Sequence, residues 1–381
     1  MNDQPYNKTN SSNPYLIDIN KDELIKKDGK KLTASYIWEY KDREELVKWV
    51  FDYYRKKGFP YPKYSSTILN STFNKLKKID YNSILSEDGT IKNSNSTGTN
   101  ILKHFCGEKF YNSKVEKGDS PLDVFNDNEK LIKVLKNRMG WCLSKEDGEE
   151  RPYIFGINDG MIIQGIRSSG LGSSISQFKI PIAMFLYKRY LKENGVILDF
   201  SAGWGARMLA AMACGYNYYG IDPLTAENLN EMNSFFSDDS CFKNDINVFE
   251  GGSEDKNSYN VDSVDLIIGC PPYFKLEIYS NDNSQCYNKF PEYNNWLEKY
   301  WKKTVENCID IMDEKTKFIL IMNKSFKEYM LKDNMLDICF DCGLEMFESF
   351  PMKSSKSHLS GKKNSGIATK YSDGIFVLKR E

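Results

Sequence analysis

Short apolar runs alternate with helix-like segments along the second half of the chain. Four runs have the length and composition of buried strands: Gly195–Phe200, Tyr218–Ile221, Asp265–Gly269 and Phe318–Met322. Apolar residues at helical spacing predict helices at Ile180–Lys192, around Met208–Ala213 and at Tyr293–Asp313, and a last pair of strands is predicted around Gly343–Glu348 and Gly374–Lys379. Apolar strands that alternate with helices predict an α/β fold with a largely parallel sheet covered on both faces.

The first 150 residues lack this alternation. Residues 1–14 are polar and rich in Asn and Ser, which predicts a disordered leader. Asp42–Lys57 has acidic residues in its first turn and basic residues at its end, and glycine and proline follow, so it predicts a helix. Ser83–Asn100 is rich in Asn, Ser and Gly and predicts an exposed loop. We therefore expect a mixed, mainly helical region at 15–150 and the α/β domain at 151–381.

Composition excludes several classes of protein. The 381 residues include 52 Lys and Arg against 53 Asp and Glu, so any basic surface must be local. Nine cysteines are too few for a disulfide-bonded scaffold and no secretory signal opens the chain, which favours reduced thiols. No apolar run reaches about 18 residues, the length that a membrane-spanning helix needs. We expect a soluble, cytoplasmic protein.

One local basic surface is predicted between Lys41 and Lys78, where ten Lys and Arg stand against four Asp and Glu. Five aromatic residues are interleaved with these charges: Trp49, Tyr53, Tyr54, Phe59 and Tyr61. Positive side chains contact phosphates and aromatic rings stack on bases, so the stretch predicts contact with nucleic acid. A solvated helix face over a small core explains the same pattern equally well.

Glycines follow the first predicted strand. In Asp199–Arg207 (DFSAGWGAR), Gly203 and Gly205 let the backbone turn tightly and approach a ligand, as in nucleotide-binding turns between a strand and a helix. Asp222 ends the next strand, at roughly the 20-residue offset where an acid meets ribose hydroxyls in dinucleotide folds. The turn lacks the third glycine of the NAD fingerprint, which argues against a pyrophosphate ligand.

Two prolines follow another predicted strand. Cys270–Phe274 (CPPYF) comes directly after Asp265–Gly269. Consecutive prolines give a rigid, extended segment without N–H donors. Such a segment leaves a backbone carbonyl as a fixed acceptor for an amine, and the aromatic ring that follows can stack on a planar base. Taken by itself, a proline-stiffened loop after a strand would explain the motif equally well.

Together, the two motifs resemble those of a known enzyme family. Asp199–Arg207 resembles motif I of class I S-adenosylmethionine-dependent methyltransferases, and Asp222 resembles their ribose-binding acid. Cys270–Phe274 resembles the (D/N/S)PP(Y/F) motif of the amino-methyltransferases that modify adenine N6 or cytosine N4 in DNA. The longer pattern SAGWG…PPY followed by Glu277 and Tyr279 is similar to DNA methylases of phages and mobile elements.

The resemblance covers about Ser173–Met322 and implies a Rossmann-like class I methyltransferase with a mostly parallel seven-stranded sheet. It implies S-adenosyl-L-methionine as cofactor and DNA as partner. The region 15–150 would recognise the substrate. Related enzymes methylate RNA bases or protein glutamine, so both stay open as alternatives. The sequence also leaves open whether the chain works alone, as a homodimer or with a partner subunit.

The resemblance assigns roles to matching positions. The cofactor would contact Phe178, Asp199, Ser201, Ala202, Gly203, Gly205, Asp222, Pro223, Ser253 and Glu254. Within this set, Asp222 would hold the ribose, and Ser253 and Glu254 the adenine amine; core packing explains Phe178 equally well. The catalytic residues would be Cys270, Pro271, Pro272 and Tyr273. The substrate would contact Phe274, Glu277 and Tyr279, with Lys353, Lys362 and Lys363 of the basic stretch 351–371 on phosphates.

The family mechanism is direct methyl transfer to an amine held by residue 270 and by the Pro271 carbonyl, with Tyr273 stacked on the base. A target inside a duplex must first be flipped out. Cys270 departs from the family pattern, because a thiol is a weaker acceptor than the side chain of Asp, Asn or Ser. A catalytically silent nucleic-acid-binding subunit is therefore a further alternative. Covalent attack on a pyrimidine is disfavoured, because in enzymes of that type the cysteine follows a proline in this loop.

Metal chemistry finds little support in the sequence. Cys339 and Cys342 have C-x-x-C spacing, but no second pair of Cys or His accompanies them, and the chain has only two histidines. A zinc site needs more ligands than two. We therefore predict no metal site.

Overall fold

The structure, a computed structural model, describes residues 23–92, 95–141, 143–146, 149–152, 156–173, 175–237, 244–322, 329–352 and 374–381. The chain divides into two compact units. The first unit comprises the described residues of Met1–Pro62 and Lys117–Ser174, and the second comprises those of Lys63–Glu116 and Ile175–Glu381. Residues 63–116 therefore group with the second unit, whereas the sequence analysis placed its boundary at residue 151. The predicted leader, residues 1–14, lies outside the described residues.

A seven-stranded sheet forms the centre of the second unit, as the described residues define it. Its strands are β1 Val196–Asp199, β2 Asn217–Ile221, β3 Ile246–Phe249, β4 Leu266–Gly269, β5 Lys317–Met322, β6 Leu344–Pro351 and β7 Gly374–Arg380. Their spatial order is β6-β7-β5-β4-β1-β2-β3. Neighbours pair in parallel from β5 to β3, and β7 pairs antiparallel with both β5 and β6. The predicted α/β fold with a mostly parallel seven-stranded sheet is confirmed.

Side chains of the sheet alternate between two cores. Ile197, Ile268 and Ile319 belong to one cluster of buried residues, whereas their neighbours Leu198 and Ile267 belong to another. Successive side chains of a strand point to opposite faces, so continuous apolar runs are the pattern of strands covered on both sides.

Helices cover both faces. The first core receives α1 Ser66–Leu76, α2 Thr99–Asn112, α3 Ile180–Tyr190, α4 Ala206–Cys214 and α5 Ala226–Ser237. The second core receives the helical segment that runs from Tyr293 to Asp310, with a π-helical stretch at Leu297–Lys302 before α6 Lys303–Asp310, together with α7 Leu331–Asp341. A further short helix spans Cys286–Lys289, a two-residue ladder pairs Lys114–Val115 with Glu277–Ile278, and 3₁₀ turns lie at Tyr81–Ile84 and Lys256–Ser258.

The position of α2 explains why residues 63–116 join the sheet unit. Its Ile101, Leu102 and Phe105 are buried in the first core. The Phe105 carbonyl also accepts a hydrogen bond from the side-chain amide of Asn228 on α5, at 3.0 Å. The predicted loop at Ser83–Asn100 ends where α2 begins, at Thr99. An apolar helix packed on the sheet helices cannot be part of an independent N-terminal core.

The first unit is mainly helical. Its helices are Ala34–Glu39, Arg43–Lys57, Pro121–Asn126, Asn128–Trp141 and Asp159–Ser168, and short antiparallel pairs join Lys26–Lys27 to Lys30–Lys31 and Leu143–Glu146 to Glu149–Pro152. The predicted helix Asp42–Lys57 is confirmed, with Asp42 as the N-cap that accepts the Glu45 N–H at 3.0 Å. Among the described residues, no helix is long and apolar enough to cross a membrane.

Candidate active site

The strand order brings the two sequence motifs to one place. β1 and β4 are neighbours, and the chain leaves them toward opposite sides of the sheet, through β2 on one side and β5 on the other. Ligands of open α/β sheets bind at such a switch point, beyond the carboxyl ends of the strands. The glycine-rich turn follows β1, and Cys270–Phe274 follows β4. The Cys270 N–H donates to Ser201 Oγ at 3.0 Å, so the two motifs are in direct contact.

A buried ion pair holds the glycine-rich turn. The Asp199 carboxylate accepts from Arg207 Nε at 2.7 Å, from the Tyr218 hydroxyl at 2.7 Å and from the Ser201 N–H at 3.1 Å. Burial lowers the pKa of Arg207, but the charge and hydrogen bonds of Asp199 outweigh burial and raise it above its ordinary value. Arg207 also donates to the Ser201 carbonyl. In this geometry, Asp199 orders the turn, and its predicted contact with the cofactor stays a prediction.

Two glycines shape the turn in different ways. Gly205 has φ +81°, and a Cβ there would lie 2.5 Å from Leu229 Cδ2 and 2.7 Å from Met232 Cε on α5. Gly203 has φ +56°, but a Cβ there would meet only the Ser201 carbonyl oxygen, at 3.6 Å. Gly205 therefore permits helix packing, whereas Gly203 borders open space. The Ala202 N–H donates to the Ile221 carbonyl at 3.0 Å, which ties the turn to β2.

Asp222 is fixed by backbone donors. Its Oδ1 accepts the N–H groups of Leu224 and Thr225 at 2.9 and 2.8 Å, and its Oδ2 accepts the Gly203 N–H at 2.8 Å. Burial raises the pKa of this carboxyl, and these backbone hydrogen bonds oppose the rise. Pro223 beside it is half-buried. The carboxylate thus joins the ends of β1 and β2, the position predicted for the ribose-binding acid.

Ser253 and Glu254 follow β3 in the loop where the sequence analysis placed the adenine amine. Ser253 is buried, and its hydroxyl lies 2.9 Å from Thr304 Oγ1. Glu254 Oε1 pairs with Lys289 Nζ at 2.7 Å. Glu254 Oε2 is buried without a hydrogen-bond partner, and only 6% of the Glu254 side chain is exposed. A buried carboxylate oxygen without a donor is a costly arrangement that a bound donor relieves.

The CPPYF loop turns its aromatic rings inward. Tyr273 is 4% exposed, and its hydroxyl lies 3.4 Å from Cys270 Sγ and 3.5 Å from the Ile321 carbonyl oxygen. Pro271 is buried and Pro272 is half-buried. A buried ring presents no face to a base, so the stacking role of Tyr273 stays a prediction about a substrate-bound protein.

Phe274 is strained and buried. It has φ +51°, which a bulky residue rarely adopts, and only 3% of its surface is exposed. Its ring centroid lies 5.4 Å from that of Tyr293 and 5.8 Å from that of Tyr329. The positive φ turns the chain directly after the two prolines, so the loop conformation depends on this packing. The Phe274 ring has no exposed face in this geometry, so its predicted contact with the substrate stays a prediction.

The segment after the loop contacts the glycine-rich turn through aromatic rings. Glu277 accepts a hydrogen bond from the Tyr279 hydroxyl at 2.6 Å, and burial followed by the Glu277 charge raises the pKa of Tyr279 well above its ordinary value. The Tyr279 ring meets the Trp204 ring edge to face, with centroids 6.0 Å apart. Tyr279 thus lies beside motif I, and Glu277 is hydrogen-bonded to Tyr279.

The remaining predicted residues fall in different places. The Arg207 guanidinium lies 5.5 Å from the centroid of the Phe178 ring, so Phe178 lies beside the turn. Lys353, Lys362 and Lys363 lie outside the described residues.

The partners that hold the site were not predicted from the sequence. They are Arg207, Tyr218, Thr304 and Trp204, and two of them, Arg207 and Trp204, lie within the motif itself. A buried strand position carrying tyrosine, as at Tyr218, was the available signal, because buried phenols need hydrogen-bond partners. Among the described residues, no group of three or more His, Cys, Asp or Glu side chains is placed to hold a metal ion.

Comparison with known proteins gives a likeness in fold. No protein-family model matches the chain, and no curated protein matches it. A TehB-like S-adenosylmethionine-dependent methyltransferase of Corynebacterium glutamicum aligns with a TM-score of 0.34 and 12% identity, over 52% of this chain and 87% of that one. Magnesium protoporphyrin IX methyltransferase of Synechocystis aligns with a TM-score of 0.33 and 11% identity, over 51% of this chain and 74% of that one. Ribosomal protein L11 methylase of Lactobacillus delbrueckii aligns with a TM-score of 0.32 and 12% identity, over 53% of this chain and 77% of that one.

The second unit has a Rossmann-like methyltransferase fold. This assignment rests on the strand order and strand directions of the sheet. Two of the three names print a substrate, magnesium protoporphyrin IX and ribosomal protein L11, and neither is carried over to this chain.

Proposed function

We propose that this protein transfers a methyl group from S-adenosylmethionine to an exocyclic amine of a base in DNA, with adenine N6 favoured over cytosine N4. The observation that carries the proposal is the hydrogen bond from the Cys270 N–H to Ser201 Oγ at the switch point. It joins the turn that resembles a cofactor-binding motif to the loop that resembles an amine-binding motif. A cofactor in the first motif would therefore lie next to a substrate in the second.

The residues at the switch point fit the cofactor. Gly203 borders open space in a conformation that favours glycine, as a close approach to a ligand requires. Asp222 Oδ2 accepts one hydrogen bond, from Gly203, and a carboxylate oxygen has a second lone pair for a ribose hydroxyl. Glu254 Oε2 is a buried acceptor without a donor, which the adenine amine would supply.

The chain's own groups would position the reacting amine. When bound, the cofactor would supply a sulfonium methyl group: the amine lone pair would form the new N–C bond, the S–C bond would break to leave a thioether, and the nitrogen would release a proton to water. The Pro271 carbonyl and residue 270 would accept hydrogen bonds from the amine and fix its lone pair in line. Two prolines without N–H donors and the packing of Phe274 would keep that carbonyl in place.

Glu254→Ala should weaken S-adenosylmethionine binding about tenfold or more, because a hydrogen bond to a charged acceptor contributes about 1.5–3 kcal/mol. Calorimetric titration measures this. An analogue with inosine in place of adenosine should bind wild type more weakly, whereas Glu254→Ala should no longer distinguish the two cofactors. Glu250→Ala is the matched control, since Glu250 is exposed and precedes the same loop. Equal discrimination by wild type and Glu254→Ala would contradict the assignment.

Cys270→Ser should raise the rate of methyl transfer by roughly two- to tenfold, because a hydroxyl is a better hydrogen-bond acceptor than a thiol and such a bond contributes about 0.5–1.5 kcal/mol. The measurement is single-turnover transfer of labelled methyl to DNA. Cys342→Ser changes a half-buried thiol outside this loop and should leave the rate unchanged. No transfer by either form to any nucleic acid would favour a silent subunit instead.

A further inference from the structure

A hairpin with four lysines stands out in the first unit. Lys26–Lys27 and Lys30–Lys31 form its two strands, joined by Asp28 and Gly29. Asp28 has φ +53° and Gly29 has φ +77°, so both central residues of the turn are left-handed, as in the tight turns of two-residue hairpins. The hairpin holds four positive charges and one negative charge within six residues.

The lysines face each other in pairs. Lys26 lies opposite Lys31, and Lys27 lies opposite Lys30. Like charges directly opposite each other on neighbouring strands destabilise a ladder. The arrangement weakens the hairpin unless negative charges lie beside it. Glu23 pairs with Lys26 and Asp28 pairs with Lys27, so Lys30 and Lys31 are the two charges left for a polyanionic ligand.

The backbone holds these charges in place. Ile25 and Leu32 flank the hairpin and are buried in the core of the first unit. The Ile25 N–H donates to the Ile157 carbonyl at 3.0 Å, and the Ile157 N–H donates to the Leu32 carbonyl at 2.9 Å. The lysines thus stand on an anchored element rather than on a tail, so less conformational entropy is lost when they bind.

Lys26 and Lys27 have acidic partners, and Lys30 and Lys31 are available. Lys27 points inward, with 12% of its side chain exposed, and its ammonium lies 5.6 Å from the Tyr40 ring centroid and 5.8 Å from that of Trp49. Lys26 is half-exposed and pairs with Glu23 at 3.2 Å. Lys30 and Lys31 are exposed, and neither has an ion pair with any described residue. Two unpaired, anchored ammonium groups remain for a ligand.

An exposed aromatic ring follows the hairpin. The helix Ala34–Glu39 begins shortly after Lys31, and its Trp38 is 46% exposed. A large exposed indole near clustered lysines is the combination that binds nucleic acids, since the charges contact phosphates and the ring stacks on a base.

We propose that the lysine hairpin, residues Lys26–Lys31, binds the phosphodiester backbone of the nucleic acid that carries the target base. The inference deepens the proposed function and rests on it for the identity of the substrate. It replaces part of the wider stretch 41–78, in which Tyr54 is fully buried and Lys57 pairs with Asp159 at 2.6 Å. Lys30 and Lys31 make the phosphate contacts, and Trp38 adds stacking.

The test compares the full-length protein with Lys30→Gln/Lys31→Gln. Fluorescence anisotropy would follow binding to a labelled DNA duplex, its single strand and an RNA of the same sequence over a series of salt concentrations. The variant should bind roughly tenfold more weakly. The plot of log K against log salt has a negative slope, and the magnitude of that slope should decrease by about 2, or about 1 for each lysine that no longer neutralises a phosphate. Trp38→Ala should lower affinity, most for the single strand, without changing the slope.

Two controls separate the hairpin from bulk charge and from misfolding. Lys117→Gln/Lys133→Gln removes the same charge from exposed residues elsewhere in this unit and should leave the slope unchanged. Lys30→Arg/Lys31→Arg keeps the charges and should bind like wild type. An unchanged slope in the hairpin variant would overturn the proposal. So would hairpin-dependent binding to vesicles of anionic phospholipid with none to nucleic acid, which would assign the hairpin to a membrane surface.

The same samples distinguish this inference from the proposed function. S-adenosylmethionine affinity, measured by calorimetry, should be equal in wild type and Lys30→Gln/Lys31→Gln. Hairpin-dependent DNA binding by a protein that neither binds the cofactor nor transfers methyl would refute the proposed function and keep the hairpin. If Lys30→Gln/Lys31→Gln transferred methyl groups to DNA as well as wild type does, the proposed function would be kept and the role of the hairpin would be refuted.

Discussion

Arg207→Met should destabilise the protein by about 3–5 kcal/mol, the cost of leaving one charge of a buried pair uncompensated. Arg207 is 4% exposed and Asp199 is fully buried, with Nε and Oδ2 2.7 Å apart. Without the guanidinium, the Asp199 carboxylate keeps only the Tyr218 hydroxyl and the Ser201 N–H as donors. Urea unfolding followed by circular dichroism measures the free energy of unfolding.

An exposed ion pair of similar geometry is the control. Lys256 and Asp310 are 2.6 Å apart, but their side chains are 73% and 53% exposed. Lys256→Met should change the free energy of unfolding by less than about 1 kcal/mol, because solvent screens exposed pairs. Equal effects of the two substitutions would show that burial of the Asp199–Arg207 pair has no bearing on stability.

Gly205→Ala should destabilise the protein by about 2–5 kcal/mol and weaken cofactor binding with it. A left-handed conformation costs a residue with a Cβ about 1–2 kcal/mol, and overpacking adds roughly 1–3 kcal/mol. The added Cβ would lie 2.5 Å from Leu229 Cδ2. Either α5 must move away or the turn that follows β1 must change shape. Thermal unfolding and calorimetric titration with S-adenosylmethionine measure both effects.

Gly215→Ala isolates the backbone contribution. Gly215 has φ +77°, close to that of Gly205, but a Cβ there would find its nearest neighbour, Asn244 Oδ1, at 3.8 Å. The substitution should therefore cost only the backbone part, about 1–2 kcal/mol, and leave cofactor affinity unchanged. If Gly215→Ala destabilises as much as Gly205→Ala, the close packing against α5 is not what requires glycine at 205.

The strands of the sheet were predictable because burial on both faces leaves a clear signature. Phe318–Met322 was predicted and the structure has Lys317–Met322; Asp265–Gly269 was predicted and the structure has Leu266–Gly269. Turns at strand ends follow from glycine and proline, so both motifs could be placed correctly at the carboxyl ends of β1 and β4.

The partners within the site were not predictable in the same way. Inside a strand, the alternation of side chains predicts which face each residue lies on. This alternation ends where the strand ends, before the two prolines, so the burial of Tyr273 could not be predicted from the sequence. The pairing of Asp199 with Arg207 crosses from a strand to a helix through a turn whose shape depends on Gly205. Contacts such as Trp204 with Tyr279 depend on tertiary packing, which local patterns do not encode.

The grouping of residues 63–116 with the second unit was not predictable for a related reason. The residues before Thr99 are polar, so the sequence there predicts a loop and not the start of a buried helix. In addition, α2 packs against other helices, and such a helix has no single apolar face that would mark it in the sequence. Tertiary contacts, such as those of Ile101 and Phe105 with the first core, assign α2 to the sheet.

The most direct measurement of the proposed reaction incubates the purified protein with methyl-labelled S-adenosylmethionine and separate pools of duplex DNA, single-stranded DNA and RNA. Each pool is then digested to nucleosides and analysed by mass spectrometry, with cofactor binding checked in the same preparation. The proposal predicts labelled N6-methyl-2′-deoxyadenosine from the DNA pools, with N4-methyl-2′-deoxycytidine as the second expected product. Cofactor binding without a labelled nucleoside in any pool would contradict it.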